Sequence, residues 1–243
     1  LDVIARRGHE EDVARALASY LLGQDLSVLD LHCLAGEATA LRYLPGLLAE
    51  GGAEASTGPL DVCPALDLPA DWESYLAALP KKDRHELRRK LRRLDDAGAV
   101  RTYALVDGEI GTREVDDFLS LHRLSAPEKA AFMDERMERF FRGIYTRLAG
   151  EGLLRLYFME LDGRRVAAAL CFDQRDEVLL YNSGYDPAHA RLSTGLLLKA
   201  ACLKDAISLG RRRFDFLRGN ERYKYDLGGK DIPIYYLLAK LRS

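Results

Sequence analysis

Residues 178–216 read VLLYNSGYDPAHARLSTGLLLKAACLKDAISLGRRRFDF, and this stretch decides the fold. It begins with a predicted strand, Val178–Tyr185, continues as a helix over Leu196–Leu209 that is apolar on most sides, and ends in a second strand, 213–217. Two strands that are joined through a crossover helix run parallel in one sheet. We therefore predict that strands 178–185 and 213–217 are parallel and that the helix packs against their sheet.

The residues before this stretch predict an antiparallel meander. Leu153–Glu160 alternates as a half-buried strand, and Asp162-Gly163 is a strong hairpin turn because glycine accepts the positive φ that the turn requires. The turn leads into Val166–Phe172, a continuous apolar strand that should be buried on both faces. With a final strand at Ile232–Leu241 to close the same sheet, the layout is α+β, a mixed sheet flanked by helices.

The N-terminal residues predict an incomplete α/β layer. Strands are expected at Leu1–Ala5 and Val28–Leu34, a helix at about Glu37–Glu50, and an extended segment over Leu60–Leu68. Since residue 1 falls inside a predicted strand, we expect that further sequence lies upstream.

Composition excludes several classes of protein. The chain has 243 residues, 48% of them apolar, and a net charge of -2, so it can bury a substantial core, and no overall charge attracts it to nucleic acid or membrane. No apolar run reaches the length of a membrane span, and no signal peptide is recognisable. The four cysteines are widely separated and lack metal-ligand spacing. We expect buried reduced thiols, no metal site and a cytoplasmic protein, with the cysteines being Cys33, Cys63, Cys171 and Cys202.

One helix carries most of the local positive charge. Lys81–Leu94 places Leu87, Leu91 and Leu94 on one face. From Lys81 to Arg93, eight Lys or Arg oppose two acids, which gives a local charge of +6. Such a face can follow a phosphate backbone, but a solvated helix edge is the commoner reason for it. We predict that the leucines pack inwards and that the charges are mainly solvated.

Four motifs follow one another along the chain: the basic helix Lys81–Leu94, the hairpin with Gly163 and Val166-Ala-Ala, the turn Gly184-Tyr185-Asp186, and the closing Phe214-Asp-Phe, Arg218-Gly219 and Tyr223-Lys224. Together they resemble the GNAT acetyltransferases that are associated with cellulose biosynthesis. The resemblance covers most of the chain from Trp72 onwards. Residues 1–68 resemble the later half of the partial GNAT-like module that precedes the complete one in this family and in the related Fem-type peptidyl transferases. The resemblance implies a truncated partial module at 1–68 and a GNAT-like acyltransferase domain at 69–243 that includes the helix 81–94.

The resemblance also implies where a co-substrate binds. In the GNAT fold an acyl-CoA enters between two parallel strands that splay apart, here 178–185 and 213–217. Pantetheine amides pair with the first strand, and pyrophosphate lies on N–H groups at the N-terminus of the following helix, where the helix dipole favours anions. The implied residues for acetyl-CoA or another acyl-CoA are Tyr181, Ser183, Gly184, Tyr185, Arg191, Ser193, Thr194 and Gly195.

The loop before the helix departs from the family pattern. Counted from Arg191, this chain has Thr194 and Leu196 at positions where the pattern has small residues. A structural alternative is that Ser193 or Thr194 simply caps a core helix.

Acyl transfer of this kind needs a base that makes the acceptor amine neutral and an acid that protonates the leaving thiolate. A carboxylate and a tyrosine beyond the second splayed strand would serve. Glu221 is the candidate base and Tyr223 the candidate acid, with Asp215 or Lys224 positioning substrate or partner side chains. Each has a structural alternative, since Asp215 can simply satisfy backbone donors and Tyr223 can pack with its hydroxyl in water.

Three functions compete. The first is an acyl-CoA-dependent acyltransferase that acts on an amine or hydroxyl of an envelope sugar, a lipid precursor or a small molecule, as in polysaccharide biosynthesis. The second is a Fem-like transferase that uses aminoacyl-tRNA, which the +6 helix favours and the near-neutral total charge does not. The third is a catalytically silent GNAT-like module that binds a partner. Acyl-CoA binding separates the first from the others, and salt-dependent tRNA binding separates the second.

Overall fold

The computed structural model of the protein describes residues 2–241, which form nine α-helices and nine β-strands in two compact units. The helices are α1 (Glu10–Leu22), α2 (Thr39–Glu50), α3 (Trp72–Ala78), α4 (Lys81–Asp95), α5 (Thr112–Leu124), α6 (Pro127–Phe132), α7 (Glu135–Leu148), α8 (Thr194–Ser208) and α9 (Arg222–Asp226). The strands are β1 (Val28–Ala35), β2 (Glu54–Val62), β3 (Ala65–Asp67), β4 (Val100–Val106), β5 (Leu154–Leu161), β6 (Arg164–Gln174), β7 (Glu177–Tyr185), β8 (Arg213–Asp215) and β9 (Pro233–Lys240).

The small unit consists of residues 2–63, 218–220 and 231–241. Its sheet has the order β1-β9-β2, and both outer strands run antiparallel to β9. Helices α1 and α2 pack their small and apolar residues, among them Ala14 and Leu44, into one core with Leu237 of β9. The predicted strand at 28–34 and the predicted helix at 37–50 are therefore confirmed.

Two expectations for this unit are wrong. Residues 2–5 of the expected first strand have no regular structure, and Leu1 lies outside the described residues. The last strand does not close the large sheet, because as β9 it is the central strand of the small one, with Leu237 and Ala239 fully buried. The apolar pattern of 232–241 identifies a strand, but the pattern does not choose between two sheets that each offer a buried face.

The large unit, residues 64–217 and 221–230, contains a mixed sheet with the strand order β3-β8-β7-β6-β5-β4. Strands β4 to β7 form the predicted antiparallel meander, and β7 and β8 pair in parallel, as predicted. The turn between β5 and β6 is the predicted one, with positive φ at both Asp162 (50°) and Gly163 (78°). Strand β3 rather than the C-terminal strand lies at the far edge, beside β8.

Helices cover both faces of this sheet. Helix α8 packs on one face with α3 and α4, and α5 and α7 pack on the other. Strand β6 lies between the two layers, so Ala167–Cys171 is fully buried, which confirms the prediction from its continuous apolar run. The α+β architecture with a mixed sheet flanked by helices is therefore confirmed.

The basic helix α4 is anchored by its leucines. Leu87 and Leu94 are buried and Leu91 is half-buried against the same core, as predicted. Several of its charges form exposed ion pairs, including Arg88 with Glu73.

In residues 2–241 no helix is long and apolar enough to cross a membrane. Cys171 and Cys202 are buried, as expected, whereas Cys33 and Cys63 are only half-buried.

Replacing Arg88, Arg89 and Arg92 together by Gln should change the free energy of unfolding by less than about 1 kcal/mol, because exposed charges and ion pairs contribute little. Urea unfolding measures the change. The control Leu87→Ala should lower stability by roughly 2–5 kcal/mol, since it empties a buried site. A loss of several kcal/mol in the triple variant would contradict a solvated helix face, and loss of micromolar tRNA binding in it would show that the face binds RNA.

Candidate active site

The two parallel strands separate soon after they pair. In the described part of the chain their ladder has three residue pairs, the last joining Leu179 to Asp215, while β7 continues to Tyr185. Strand β8 is shorter than the predicted 213–217, because Leu217 has the left-handed φ of 58°, which ends an extended strand. Pairing between the strands ends at Leu179 and Asp215, as the predicted splay requires, and the gap lies beyond these residues.

A β-bulge on β7 redirects one predicted site residue. Leu170 pairs with Asn182 and Cys171 with Leu180, so Tyr181 is an extra residue between two pairs. The Tyr181 ring packs among aromatic side chains below α7, with its centroid 5.7 Å from that of Phe141. The structure therefore does not bring Tyr181 to the gap with the other predicted co-substrate residues. Bulges are common next to active sites, where they re-aim side chains, but nothing in the strand pattern locates this one.

Both predicted glycines permit close packing. A Cβ at Gly184 would lie 2.4 Å from the backbone N and Cα of His122, so α5 crosses β7 at a point where only glycine fits. A Cβ at Gly195 would lie 2.9 Å from the ring of Tyr185. Gly184, Tyr185 and Gly195 thus fix α5 and α8 against β7 beside the gap.

The N-terminus of α8 follows β7 after a connecting segment, residues 186–193. Ser193 precedes the helix in the left-handed conformation (φ 58°, ψ 35°), and within residues 2–241 no side chain caps the first turn. A left-handed residue before helical ones turns successive N–H groups to one side, which forms an anion-binding concavity. The alternative that Ser193 caps the helix through its hydroxyl is wrong, because that oxygen accepts no hydrogen bond from the first turn of α8. It accepts one from Arg93 Nη2 at 3.2 Å.

A buried hydroxyl and two guanidinium groups adjoin this N-terminus. Thr194 is fully buried, and its Oγ1 has no hydrogen-bond partner among the described residues. Arg191 is exposed just before Ser193, and Arg93 reaches over from α4. The uncapped turn, the polar atom without a partner and the two guanidinium groups fit the phosphates of an acyl-CoA, although the loop lacks the family's glycine pattern.

The predicted catalytic pair lies where the chain re-enters the large unit after β8. Glu221 precedes the short helix α9, and its Oε2 lies 2.9 Å from Lys224 Nζ. Lys224 is buried, and its Nζ also donates to Leu217 O at 2.8 Å. The Tyr223 ring packs against Phe216, and burial raises the pKa of Tyr223 well above its usual 10, so the phenol stays protonated at neutral pH.

The contacts of Asp215 fit its alternative role, in which the carboxylate satisfies backbone donors. Its carboxylate accepts a hydrogen bond from Leu217 N at 2.7 Å and lies 3.5 Å from Arg213. Burial raises its pKa, partly offset by these two contacts. Asp215 therefore shapes the end of β8 at the mouth of the gap.

The structure adds two lysines that the sequence-based prediction missed. Lys199 on α8 is 8% exposed, donates to Gly195 O at 3.0 Å, and lies 4.6 Å above the centre of the Tyr223 ring. Burial, with the nearby charge of Lys129, lowers the pKa of Lys199 to about 8. Lys129 on α6 donates to Ser183 O on β7 at 2.5 Å, and burial lowers its pKa as well. Lys199 lies inside an otherwise apolar helix, and this position could have identified it as a candidate site residue. Lys129 lies on a short polar helix, where a lysine is ordinary and gives no such indication.

Lys199→Met should raise the free energy of unfolding at pH 7 by about 1–2 kcal/mol. A pKa lowered from 10.5 to about 8 means that folding disfavours the ammonium group of Lys199 by about 3 kcal/mol. Methionine removes this cost. It also loses the hydrogen bond to Gly195 and the contact with the Tyr223 ring, and these losses offset part of the gain. The Lys199 amine holds its proton more tightly in the unfolded chain than in the folded one. The free energy of unfolding of the wild type therefore rises between about pH 8 and pH 10.5, and the difference in stability between variant and wild type shrinks over that range. Urea unfolding at pH 7 and 10 measures both effects. The exposed Lys204→Met should show neither, and equal stability of Lys199→Met and wild type at pH 7 would contradict the lowered pKa.

A mixed sheet with two splayed parallel strands, followed by an open helix N-terminus, defines the class of GNAT-fold acyltransferases. Residues 81–225 match the family model described as an acetyltransferase (GNAT) domain, and the chain belongs to that family.

Solved structures of low sequence identity share the fold. FemX is 12% identical, with 93% of this chain and 74% of that chain covered and a TM-score of 0.62. L-PGS from Bacillus licheniformis is 10% identical, with 89% of this chain and 69% of that chain covered and a TM-score of 0.58. A tandem GNAT protein from the clavulanic acid biosynthesis pathway is 16% identical, with 99% and 72% covered and a TM-score of 0.53. No curated protein sequence matches the chain.

Proposed function

We propose that the protein is an acyl-CoA-dependent acyltransferase that moves an acetyl or other acyl group to an amine or hydroxyl. The observation that carries the proposal is the three-pair ladder of β7 and β8, which opens directly beside the uncapped N-terminus of α8. Pantetheine amides need free strand groups, and a pyrophosphate needs N–H donors and positive charge. The large unit offers both next to each other, and membership of the GNAT family supports the same co-substrate.

In this proposal the phosphates bind the first turn of α8, assisted by Arg93 and Arg191. The acceptor nitrogen or oxygen attacks the thioester carbonyl, its proton passes to Glu221, and the C–S bond breaks as the new C–N or C–O bond forms. The leaving thiolate takes a proton from the Tyr223 hydroxyl, which burial keeps protonated. Lys224 holds the Glu221 carboxylate in place.

Ser193→Asp should weaken acetyl-CoA binding at least tenfold without unfolding the protein. Aspartate is a good N-cap and accepts the left-handed conformation, so the helix is retained, while its carboxylate occupies and repels the anion position. Isothermal titration calorimetry with acetyl-CoA measures the effect. Ser208→Asp, exposed at the other end of α8, is the matched control and should bind like wild type. Equal affinity of Ser193→Asp and wild type, or a wild type that binds no acyl-CoA, would sink the proposal.

The acceptor we favour is an envelope sugar or a lipid precursor, in line with the sequence resemblance to enzymes of polysaccharide biosynthesis. Residues 1–68 are, in the same proposal, a partial GNAT-like module, and the fold shared with a tandem GNAT protein supports this. A crystal structure in which β1, β2 and the helices of residues 10–50 superpose on part of a GNAT domain would bear this out, and a failure to superpose would contradict it.

A second candidate is transfer from aminoacyl-tRNA. The basic face of α4 favours it, and Arg93 on this helix contacts the loop before α8. The shared fold with FemX is compatible with it. Filter binding of tRNA from 50 to 200 mM salt would test it, because a phosphate-tracking face loses affinity steeply with salt. Salt-insensitive or absent binding would leave acyl-CoA as the donor, and a protein that binds neither donor would be a silent module.

A further inference from the structure

Within residues 2–241, two buried lysines and one half-buried lysine converge on the open end of the gap between β7 and β8. Lys129 bonds to the carbonyl of Ser183, which lies on β7 beyond the ladder. Lys199 bonds to Gly195 in the first turn of α8, and Lys224 bonds to Leu217 just after β8. The three carbonyl groups belong to the three segments that border the gap, so the lysines come from different helices to the same place.

These ammonium groups outnumber the carboxylates that reach them. Glu221 pairs with Lys224 at 2.9 Å, and its charge also acts on Lys129 and Lys199. Neither Lys129 nor Lys199 forms a salt bridge with a carboxylate of the described chain, and their hydrogen-bond acceptors are neutral carbonyls. The exposed Glu128, beside Lys129, also acts on that lysine, so two carboxylates face the three ammonium groups.

Buried positive charge without a counter-charge opposes folding, and apolar side chains of similar size would pack there more favourably. Lysines that only stabilise a carbonyl do not need to be close to one another, yet the charge of Lys129 reaches Lys199 and lowers its pKa. An excess of buried like charge at one gap is typical of a site that a ligand of opposite charge completes. Neither an acetyl group nor a pantetheine arm carries that charge.

We propose that the gap receives a substrate with an anionic group, a carboxylate or a phosphate, close to the transferred acyl carbon, and that Lys129, Lys199 and Lys224 bind this anion. The inference rests on the proposed acyl transfer and names the chemical class of its substrate. The anion sits either on the acyl group, as in a dicarboxylic acyl-CoA, or on the acceptor. The recognition chemistry is the same in both cases, and two measurements distinguish them.

The first measurement compares acetyl-CoA with succinyl-CoA, which differ at the acyl end by a carboxylate and its linker. If the acyl group carries the anion, calorimetry should give a dissociation constant at least tenfold lower for succinyl-CoA. The preference should disappear in Lys129→Met and in Lys199→Met. It should remain in Lys204→Met, a control that removes an exposed lysine from the same helix as Lys199.

The second measurement tests the acceptor side with inorganic phosphate and malonate as probes. With acetyl-CoA present, both should raise the thermal unfolding temperature in a saturable way, and sodium chloride at equal ionic strength should not. The rise should be lost in Lys129→Met/Lys199→Met and kept in Lys204→Met. The protein could bind phosphate or malonate through these lysines and yet bind no acyl-CoA. That result would overturn acyl-CoA as the donor and would support the anion site.

Absence of any lysine-dependent preference in both measurements would overturn the proposal. So would a fall in turnover of the lysine variants with unchanged affinity for every anionic probe, because the lysines would then stabilise only transient charge on the thiolate or oxyanion. The lysine-to-methionine variants remove buried charge and keep side-chain length, so a general loss of the fold does not account for either result.

Discussion

Gly184→Ala should lower the free energy of unfolding by about 3 kcal/mol, the largest effect on stability that we expect from adding one methyl group to the large unit. The new carbon would lie 2.4 Å from the backbone N and Cα of His122 and from the carbonyl oxygen of Leu121. Backbone atoms cannot rotate away as the end of a side chain can, so α5 has to shift from the sheet. Chemical unfolding in urea measures the loss.

The matched control is the same substitution at Gly143 in α7. A Cβ there meets no atom within 4 Å, and alanine is the better helix former, so Gly143→Ala should stabilise the protein by up to about 1 kcal/mol. Opposite signs for the two substitutions are the expected result. If Gly184→Ala changed stability by less than 1 kcal/mol, the crossing of α5 and β7 would be looser than the structure shows.

Tyr223→Phe should lower kcat roughly 10²-fold, equivalent to about 2.7 kcal/mol of transition-state stabilisation, with little change in KM. The phenylalanine ring keeps the packing against Phe216 and the contact with Lys199, so the variant removes only the hydroxyl proton. Burial keeps this proton in place at neutral pH, so the phenol carries the proton that the proposed mechanism transfers to the leaving thiolate. Steady-state release of free thiol from the acyl-CoA measures the rate.

Tyr225→Phe, two residues further along α9, is the control and should retain wild-type turnover. A structural role of Tyr223 would lower stability or raise KM, whereas a role as acid lowers kcat alone. Wild-type kcat in Tyr223→Phe would remove the tyrosine from the mechanism and leave water as the proton donor.

Patterns within single segments were enough to predict much of the fold. The apolar run Val166–Phe172 predicted a doubly buried strand, and the crossover helix predicted that its two flanking strands run parallel. The splay of the two parallel strands was instead implied by the resemblance to GNAT enzymes. The strand and the parallel pairing depend on spacing along the chain, which the sequence states directly.

Features that depend on partners distant in sequence were not predictable. The bulge that turns Tyr181 away from the gap is a register shift relative to β6, and register is a property of two strands. The convergence of Lys129 and Lys199 needs α6 and α8 to pack on opposite faces of β7, which no spacing within either helix indicates. The close packing of α5 against Gly184 also depends on a partner distant in sequence. The resemblance indicated a role for this glycine in co-substrate binding, but not its contact with the α5 backbone.

The central position of β9 in the small sheet has a consequence for biosynthesis. Ser56 on β2 donates a hydrogen bond to Leu238, 182 positions later, so the ribosome makes nearly the whole large unit before the small sheet can close. Until then β1 and β2 have unpaired edges, and such edges recruit other strands. The nascent small unit is therefore the part of this chain most exposed to aggregation and to chaperone capture.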